Sequence, residues 1–386
     1  INVGSDENCP GELGVFLVTE RNACDGASST PNHHQANKDE LTMKLAKFFT
    51  LLCVFLLLTS FAALAQDDDL PLTAVPVTEV PTLDGLADDA AWADAPALEV
   101  DVTFGAAANS SDTVVTLRAV YTEDTVYFVA QWEDETQSFL RSPWEMQADG
   151  TWIQLSDPDD EGGDNNLWYE DKLALIWNIN NSIEDFEEDG CFTACHRSED
   201  GDPKPYGNHF TENEGGIGDI WHWKSVRNLF QLDDQYLDGV PYSPETPEAG
   251  RHSDPKDSGG YTNNINEAGD APAFMPAGDF PHDGSPGFIL QSEAVPFDPS
   301  LFQPGDRLPS VVISQITGDR GDISAGWTWA DGVWTLEFSR ALVTGSEFDV
   351  QFDDLSSTYY FGIAAFDNAQ VRHAFQRDPI AFVFQQ

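Results

Sequence analysis

Positive charge is what this chain has least of. Its 386 residues hold 18 lysines and arginines against 67 aspartates and glutamates, a formal net charge of −49. Such a surface repels nucleic acid and anionic lipid, which excludes both as partners, and it attracts cationic ones. Cysteine is scarce too, five in all. Cys9 and Cys24 precede Met43, and Cys53 lies in the apolar run after it, so Cys191 and Cys195 are left for a folded domain. Two cysteines four apart make a poor fold staple, since a disulfide gains most by closing a long loop. Long apolar runs are also few, and the clearest, Phe48 to Phe61, is short for a spanning helix. There is no Gly-x-Ser-x-Gly, no phosphate-binding loop and no zinc-type cluster. Carboxylates are so dense that no catalytic pair can be singled out.

Residues 43–65 read as a secretory signal. Lys44 and Lys47 give the charged start, the apolar run follows, and Ala63-Leu64-Ala65 offers a small-residue cleavage site. The alternative is a retained membrane anchor. Residues 1–42 then read as an upstream translated or disordered segment, and 66–80, acidic and then proline-punctuated, as a linker or a lead-in to an edge strand. Residues 81–386 read as one domain of an exported protein, periplasmic or extracellular, with no transmembrane segment after cleavage. Its 11 tryptophans and 25 phenylalanines supply ample material for a core.

Short alternating runs separated by turns predict an all-β fold, an antiparallel β-sandwich of immunoglobulin-like or jelly-roll-like type. Residues 113–132 read as strand, turn, strand about Glu123-Asp124. Residues 172–179, 310–316, 359–366 and 380–384 read as further strands. Residues 327–338 read as a hairpin about Asp331-Gly332. Trp221-His222-Trp223-Lys224 alternates rings with polar groups, as a strand exposed on one face would. Loop insertions are expected at about 180–220 and at 241–298, the second rich in Pro, Gly, Asp and Ser.

The stretch that carries chemistry is Cys191-Phe192-Thr193-Ala194-Cys195-His196. Two thiols can bond covalently to a haem edge while the adjoining histidine ligates the iron. The usual attachment signal has two residues between the cysteines; this one has three. A small disulfide loop beside a chance histidine is the competing reading. On the haem reading His196 is the proximal ligand by adjacency. His222 leads for the distal position, with His373, His209, Met146 and Lys224 as alternatives; Trp221 and Trp223 would wall the pocket with Lys224. Separately, Asp157, Asp159 and Asp164 sit in a run with hard oxygen ligands at calcium-like density. That run lacks the EF-hand spacing, and a solvated acidic loop is the competing reading.

Several spaced motifs together resemble the haem-binding family typified by the gamma subunit of ethylbenzene dehydrogenase. They are Trp132-Glu133-Asp134-Glu135-Thr136, Arg141-Ser142-Pro143-Trp144, Asp149-Gly150-Thr151-Trp152, Asp171-Lys172-Leu173-Ala174, the cysteine motif, Asp219-Ile220-Trp221-His222-Trp223-Lys224 and Phe361 to Asn368. The resemblance covers roughly residues 80–380. It implies an electron-transfer β-sandwich serving a molybdenum oxidoreductase of the type II dimethyl sulfoxide reductase group, with molybdopterin and iron–sulfur subunits as partners. Some members hold haem b through methionine and lysine. Others carry Cys-x-x-Cys-His, and this chain resembles the second kind with one extra residue. The opening Leu83-Asp84-Gly85 with Ala91-Trp92 also resembles family 9 carbohydrate-binding modules.

The expected function is thus an exported c-type cytochrome, an electron relay rather than an enzyme, with one haem c and a redox partner bearing a basic docking face. A carbohydrate-binding module, with or without calcium, is the alternative. A peroxidase-like haem enzyme, which needs an open iron site, is the third reading.

Overall fold

The computed structural model describes residues 70–386 except 106–108, 110, 161–164, 195–209, 212, 242, 244 and 247–248. The expected signal and upstream segment lie outside the described residues, as do Cys195, His196, His209 and Asp164. Among the described residues no helix exceeds four residues or could cross a membrane.

The strands in chain order are β1 (Leu72–Pro76), β2 (Leu98–Val102), β3 (Thr113–Tyr121), β4 (Thr125–Glu133), β5 (Trp144–Met146), β6 (Trp152–Gln154), β7 (Lys172–Asn178), β8 (Gly218–Lys224), β9 (Asp233–Leu237) and β10 (Arg251–Ser253). They continue with β11 (Ser258–Asn263), β12 (Phe274–Pro276), β13 (Ile289–Leu290), β14 (Ala294–Pro296), β15 (Arg307–Leu308), β16 (Val311–Thr317), β17 (Ser324–Ala330), β18 (Val333–Ala341), β19 (Tyr359–Phe366), β20 (Ala374–Phe375) and β21 (Ile380–Phe384). One sheet runs β10-β9-β8-β7-β19-β21-β1-β3-β4-β18-β17, with β2 on β3 and β20 on β19. It doubles over, so that β7 and β8 pack against β4 and β18 and make the two layers of a sandwich. Phe128 and Trp221 have ring centres 5.6 Å apart, Trp132 and Trp223 5.7 Å, and Trp223 and Trp334 4.9 Å. Trp177, Trp221, Trp223 and Trp334 are fully buried there. Rings of that size dominate burial energetics and favour such tilted contacts.

The hairpins follow from their turns. Asp331 and Gly332 both have positive φ, as the tight turn between β17 and β18 requires. Gly85 has φ +78°, and a Cβ on it would overlap the Trp327 backbone, so this position must be glycine. The Glu337 carboxylate accepts from Gly85 N, Asp84 N and Trp92 Nε1. That is what the Leu-Asp-Gly and Ala-Trp motifs do: they pin the chain's entry to β18.

Three expectations need correction. Residues 72–76, read as linker, form a strand inside the sheet, paired in parallel with both β21 and β3, so the sandwich is mixed rather than purely antiparallel. Residues 241–298 are not one irregular loop: they hold β10, β11, β12, β13 and β14 and build small sheets of their own. And β8 is buried at every position, not exposed on one face.

Candidate functional site

The described part of the cysteine motif begins after a one-turn helix, Phe186–Asp189. A 3-10 turn, Gly190–Thr193, follows, fixed by Thr193 Oγ1 donating to Gly190 O at 2.8 Å. Gly190 has φ +53°, which the turn needs. The turn buries Cys191 among Ile176, Ile183, Phe186, Ala194, Ile220 and Leu237. Its sulfur lies directly on β19, where a Cβ at Gly362 would overlap it.

Register then defines what shares that face. Gly362 opposes Ile176, which opposes Ile220. In the next row Ala364 opposes Ala174, then His222, then Asp233. Beyond it Phe366 opposes Lys172, then Lys224. Cys191 and His222 therefore meet one outer face whose centre is built from Gly362, Ala174 and Ala364. Rings form its rim: His373 lies 4.4 Å from Phe366, His222 stacks 5.9 Å from Phe366, and Phe192 lies 5.8 Å from Phe375.

His222 is buried, and among the described residues its Nε2 has no hydrogen-bond partner. Burial, with Lys224 and Lys172 close by, pushes the imidazole well below its usual range, so it stays neutral at ordinary pH. An unpartnered buried nitrogen calls for an explanation, and a neutral imidazole is the form that ligates metal. The scarce cations gather around it. Lys172 reaches Gln370 O at 3.0 Å and lies 3.8 Å over the Phe366 ring. Lys224 pairs with Asp233, and burial brings it down to about 8. Arg251 lies on the same face through the pairing of β10 with β9.

Several expected site residues sit elsewhere. Trp221 and Trp223 cannot wall a pocket with His222, because alternate side chains of one strand point to opposite faces. They fill the core behind it. Met146 packs in a separate cluster with Trp144, Trp152, Phe302 and Leu308. Asp157 accepts from Asp159 N at 3.0 Å within a turn. Lys224 and His373 do belong to the face. The acidic residues ahead of the motif, Glu184, Asp185, Glu187, Glu188 and Asp189, are all exposed.

A second assembly explains the other motifs. The buried Asp171 carboxylate accepts from Ser138 N (2.6 Å), Asn368 N (2.9 Å) and Trp334 Nε1 (3.3 Å). It joins the start of β7 to the segments after β4 and β19, with Asp134 and Asp367 alongside. These aspartates hold the sheet that carries the site.

The family description "Ethylbenzene dehydrogenase" matches residues 89–377. The chain belongs to that family. Membership supports a haem-associated electron-transfer subunit working within a molybdoenzyme complex. No curated protein matches the ethylbenzene dehydrogenase-family chain. Among solved structures it is similar to a family 9 carbohydrate-binding module from Caldicellulosiruptor kristjanssonii in complex with glucose, at 7% identity over 81% of this chain and 95% of that one, TM-score 0.31. It is also similar to a putative carbohydrate-binding protein from Bacteroides uniformis ATCC 8492, at 8% identity over 81% and 98%, TM-score 0.32.

Sequence reasoning missed the small-residue floor of the face. The signal was present in Phe361-Gly362-Ile363-Ala364-Ala365-Phe366, where every second residue from Gly362 is small until Phe366.

Proposed function

We propose that this chain is an exported cytochrome subunit that relays single electrons through one haem lying on the outer face of β19, β7 and β8. The observation that carries the reading is His222: a buried, uncharged imidazole with an unpartnered Nε2 on the sheet face that also receives the Cys191 sulfur. When bound, the haem supplies one-electron cycling between ferrous and ferric iron. Cys191 and Cys195 would tether its edge, making it haem c. His196 would ligate from the attachment side and His222 from the sheet, with His373 on the rim as the alternative. Gly362 seats the Cys191 sulfur, Ala174 and Ala364 would let a flat group approach beside it, and Phe366 and Phe375 would exclude water at its edge. Lys224 and Arg251 would offset the carboxylates that a haem carries, and Lys172, pushed well below its usual range by burial, would donate a hydrogen bond. Two protein ligands leave no open iron position, which suits a relay rather than peroxidase-like chemistry.

Residues 43–65 would deliver the chain across the membrane, where haem attachment occurs. The exposed carboxylates ahead of Cys191 favour a redox partner with a basic docking face, and such an encounter slows as salt screens it. The test is a pyridine haemochrome spectrum of denatured protein made in a host with haem-attachment machinery. Covalently retained haem at one per chain is expected, and its loss in Cys191→Ser/Cys195→Ser. Protein that releases all its haem on denaturation would overturn covalent attachment. Protein that never takes haem up would overturn the cytochrome reading.

A further inference from the structure

On the reverse face of β8 and β9 lies a second buried assembly, of opposite sign. Asp219 on β8, Asp234 on β9 and Asp349 ahead of Phe352 bring one carboxylate oxygen each to within 4.8 Å of one another, and all three residues are buried. Asp254, just past β10, is 3% exposed, and its backbone N–H donates to Asp234 O at 3.3 Å. Among the described residues no N–H or hydroxyl donates to either of its carboxylate oxygens, which meet the carboxyl of Asp349. The same lack of a donor holds for both oxygens of Asp349, and for Asp219 Oδ1, Asp234 Oδ2 and Asp322 Oδ1.

Among the described residues Arg340 is the cation that reaches this group. Its Nη1 stands 2.8 Å from Asp219, 3.6 Å from Asp349 and 3.7 Å from Asp234, and its Nη2 is spent on Val350 O. One guanidinium cannot balance these carboxylates. Burying an ionised carboxylate without a partner is costly enough that it must be neutralised, by a proton or by a cation.

We propose that Asp219, Asp234 and Asp349, with Asp254 and the half-buried Asp322 beside them, form a site for one calcium ion. The donor set is oxygen only, with no histidine or cysteine, which selects a hard cation over zinc. Calcium takes six to eight oxygens at 2.3–2.6 Å, so a cluster of carboxylates is its ordinary donor set. Magnesium needs shorter contacts and keeps several of its waters, which a site this buried does not suit. The ion would tie β8, β9, the end of β10, the start of β17 and the segment leading to β19 into one block behind His222.

The experiment uses the full haem-loaded chain, stripped with a chelator and titrated calorimetrically with calcium chloride alone in about 0.5 M NaCl, where weak binding to exposed carboxylates is screened. One ion per chain is expected. The melting temperature should rise by several degrees. Asp349→Asn and Asp254→Asn should each weaken binding at least tenfold, while Asp157→Asn in the acidic surface loop should leave it unchanged. No bound ion in the wild type would overturn the proposal. So would equal affinity in all three variants, or loss in Asp157→Asn alone. If Asp349→Asn does not fold, Asp254→Asn and the wild-type stoichiometry still decide.

Discussion

The two faces of β8 and β9 differ in sign although their residues alternate along the same few positions. Outward, His222 and Asp233 sit with Lys172, Lys224 and Arg251; inward, Asp219 and Asp234 sit with Arg340 and three more aspartates. The outer face gathers cations in a chain with few of them and holds its histidine neutral. The inner face gathers carboxylates and holds a single arginine charged. Because strand side chains alternate, a ribbon two strands wide can present opposite electrostatics within one backbone thickness. The face that gathers amines and a neutral imidazole suits an anionic flat group, and the face that gathers carboxyls suits a bare cation.

The sharpest way to break this contrast is Arg340→Met. It removes the charge that the inner carboxylates share, and losing one partner of a buried charge network costs about 3–5 kcal/mol. Urea unfolding in chelator should show that loss, and added calcium should restore part of it. Next is Gly362→Ala on the outer face. Its methyl would displace the Cys191 sulfur at a cost of about 1–3 kcal/mol for overpacking. Haem per chain should fall, while chains that do carry haem keep the wild-type spectrum.

Asp233→Asn tests the outer charges by pH. Burial pushes this carboxyl up, but Lys224 and Arg320 outweigh burial and hold it at about 2. A lowered folded value means stability that is present above the ordinary value of 3.8 and lost as pH falls through about 2. The variant should therefore be less stable than wild type by about 2 kcal/mol at neutral pH. That gap should close between pH 4 and 2 in acid-unfolding curves. His222→Ala is read in the spectrum rather than in stability: truncating the ring leaves a cavity whatever its role, but the haem absorption bands should move to a five-coordinate pattern. An unchanged spectrum would hand the distal position to His373.

Much of the architecture could be read from alternation. The strands at 113–133, 172–178, 324–341, 359–366 and 380–384 lie where period-two patterns and the Asp-Gly turn put them. What alternation does not tell is which face of a strand meets the core. In Trp221-His222-Trp223-Lys224 both sets are bulky, and only the packing of Trp221 and Trp223 against Phe128 and Trp132 settles the direction. β1 was hidden because five residues with a proline at the end carry little pattern, and its parallel partners lie far away in the chain. The inner aspartates were illegible for a different reason. Asp219, Asp234, Asp254, Asp322 and Asp349 are scattered singly among 67 acidic residues, and nothing local separates a buried one from a solvated one.

The parallel seat of β1 has a consequence for how the molecule assembles. Leu72 pairs with Phe382, about 310 positions along the chain, and Tyr121 donates to Gln385 O. This is pairing of very high contact order, the kind that slows folding because the loop must close before any contact rewards it. Until β21 slots between β19 and β1, the half-sheet bearing Trp177 and Trp221 has no continuous link to the half bearing Phe128 and Phe338. Both aromatic faces stay open meanwhile. Synthesis and folding are thereby uncoupled: the chain completes this sheet only after β21 has emerged, so one stalled short of residue 380 stays adhesive.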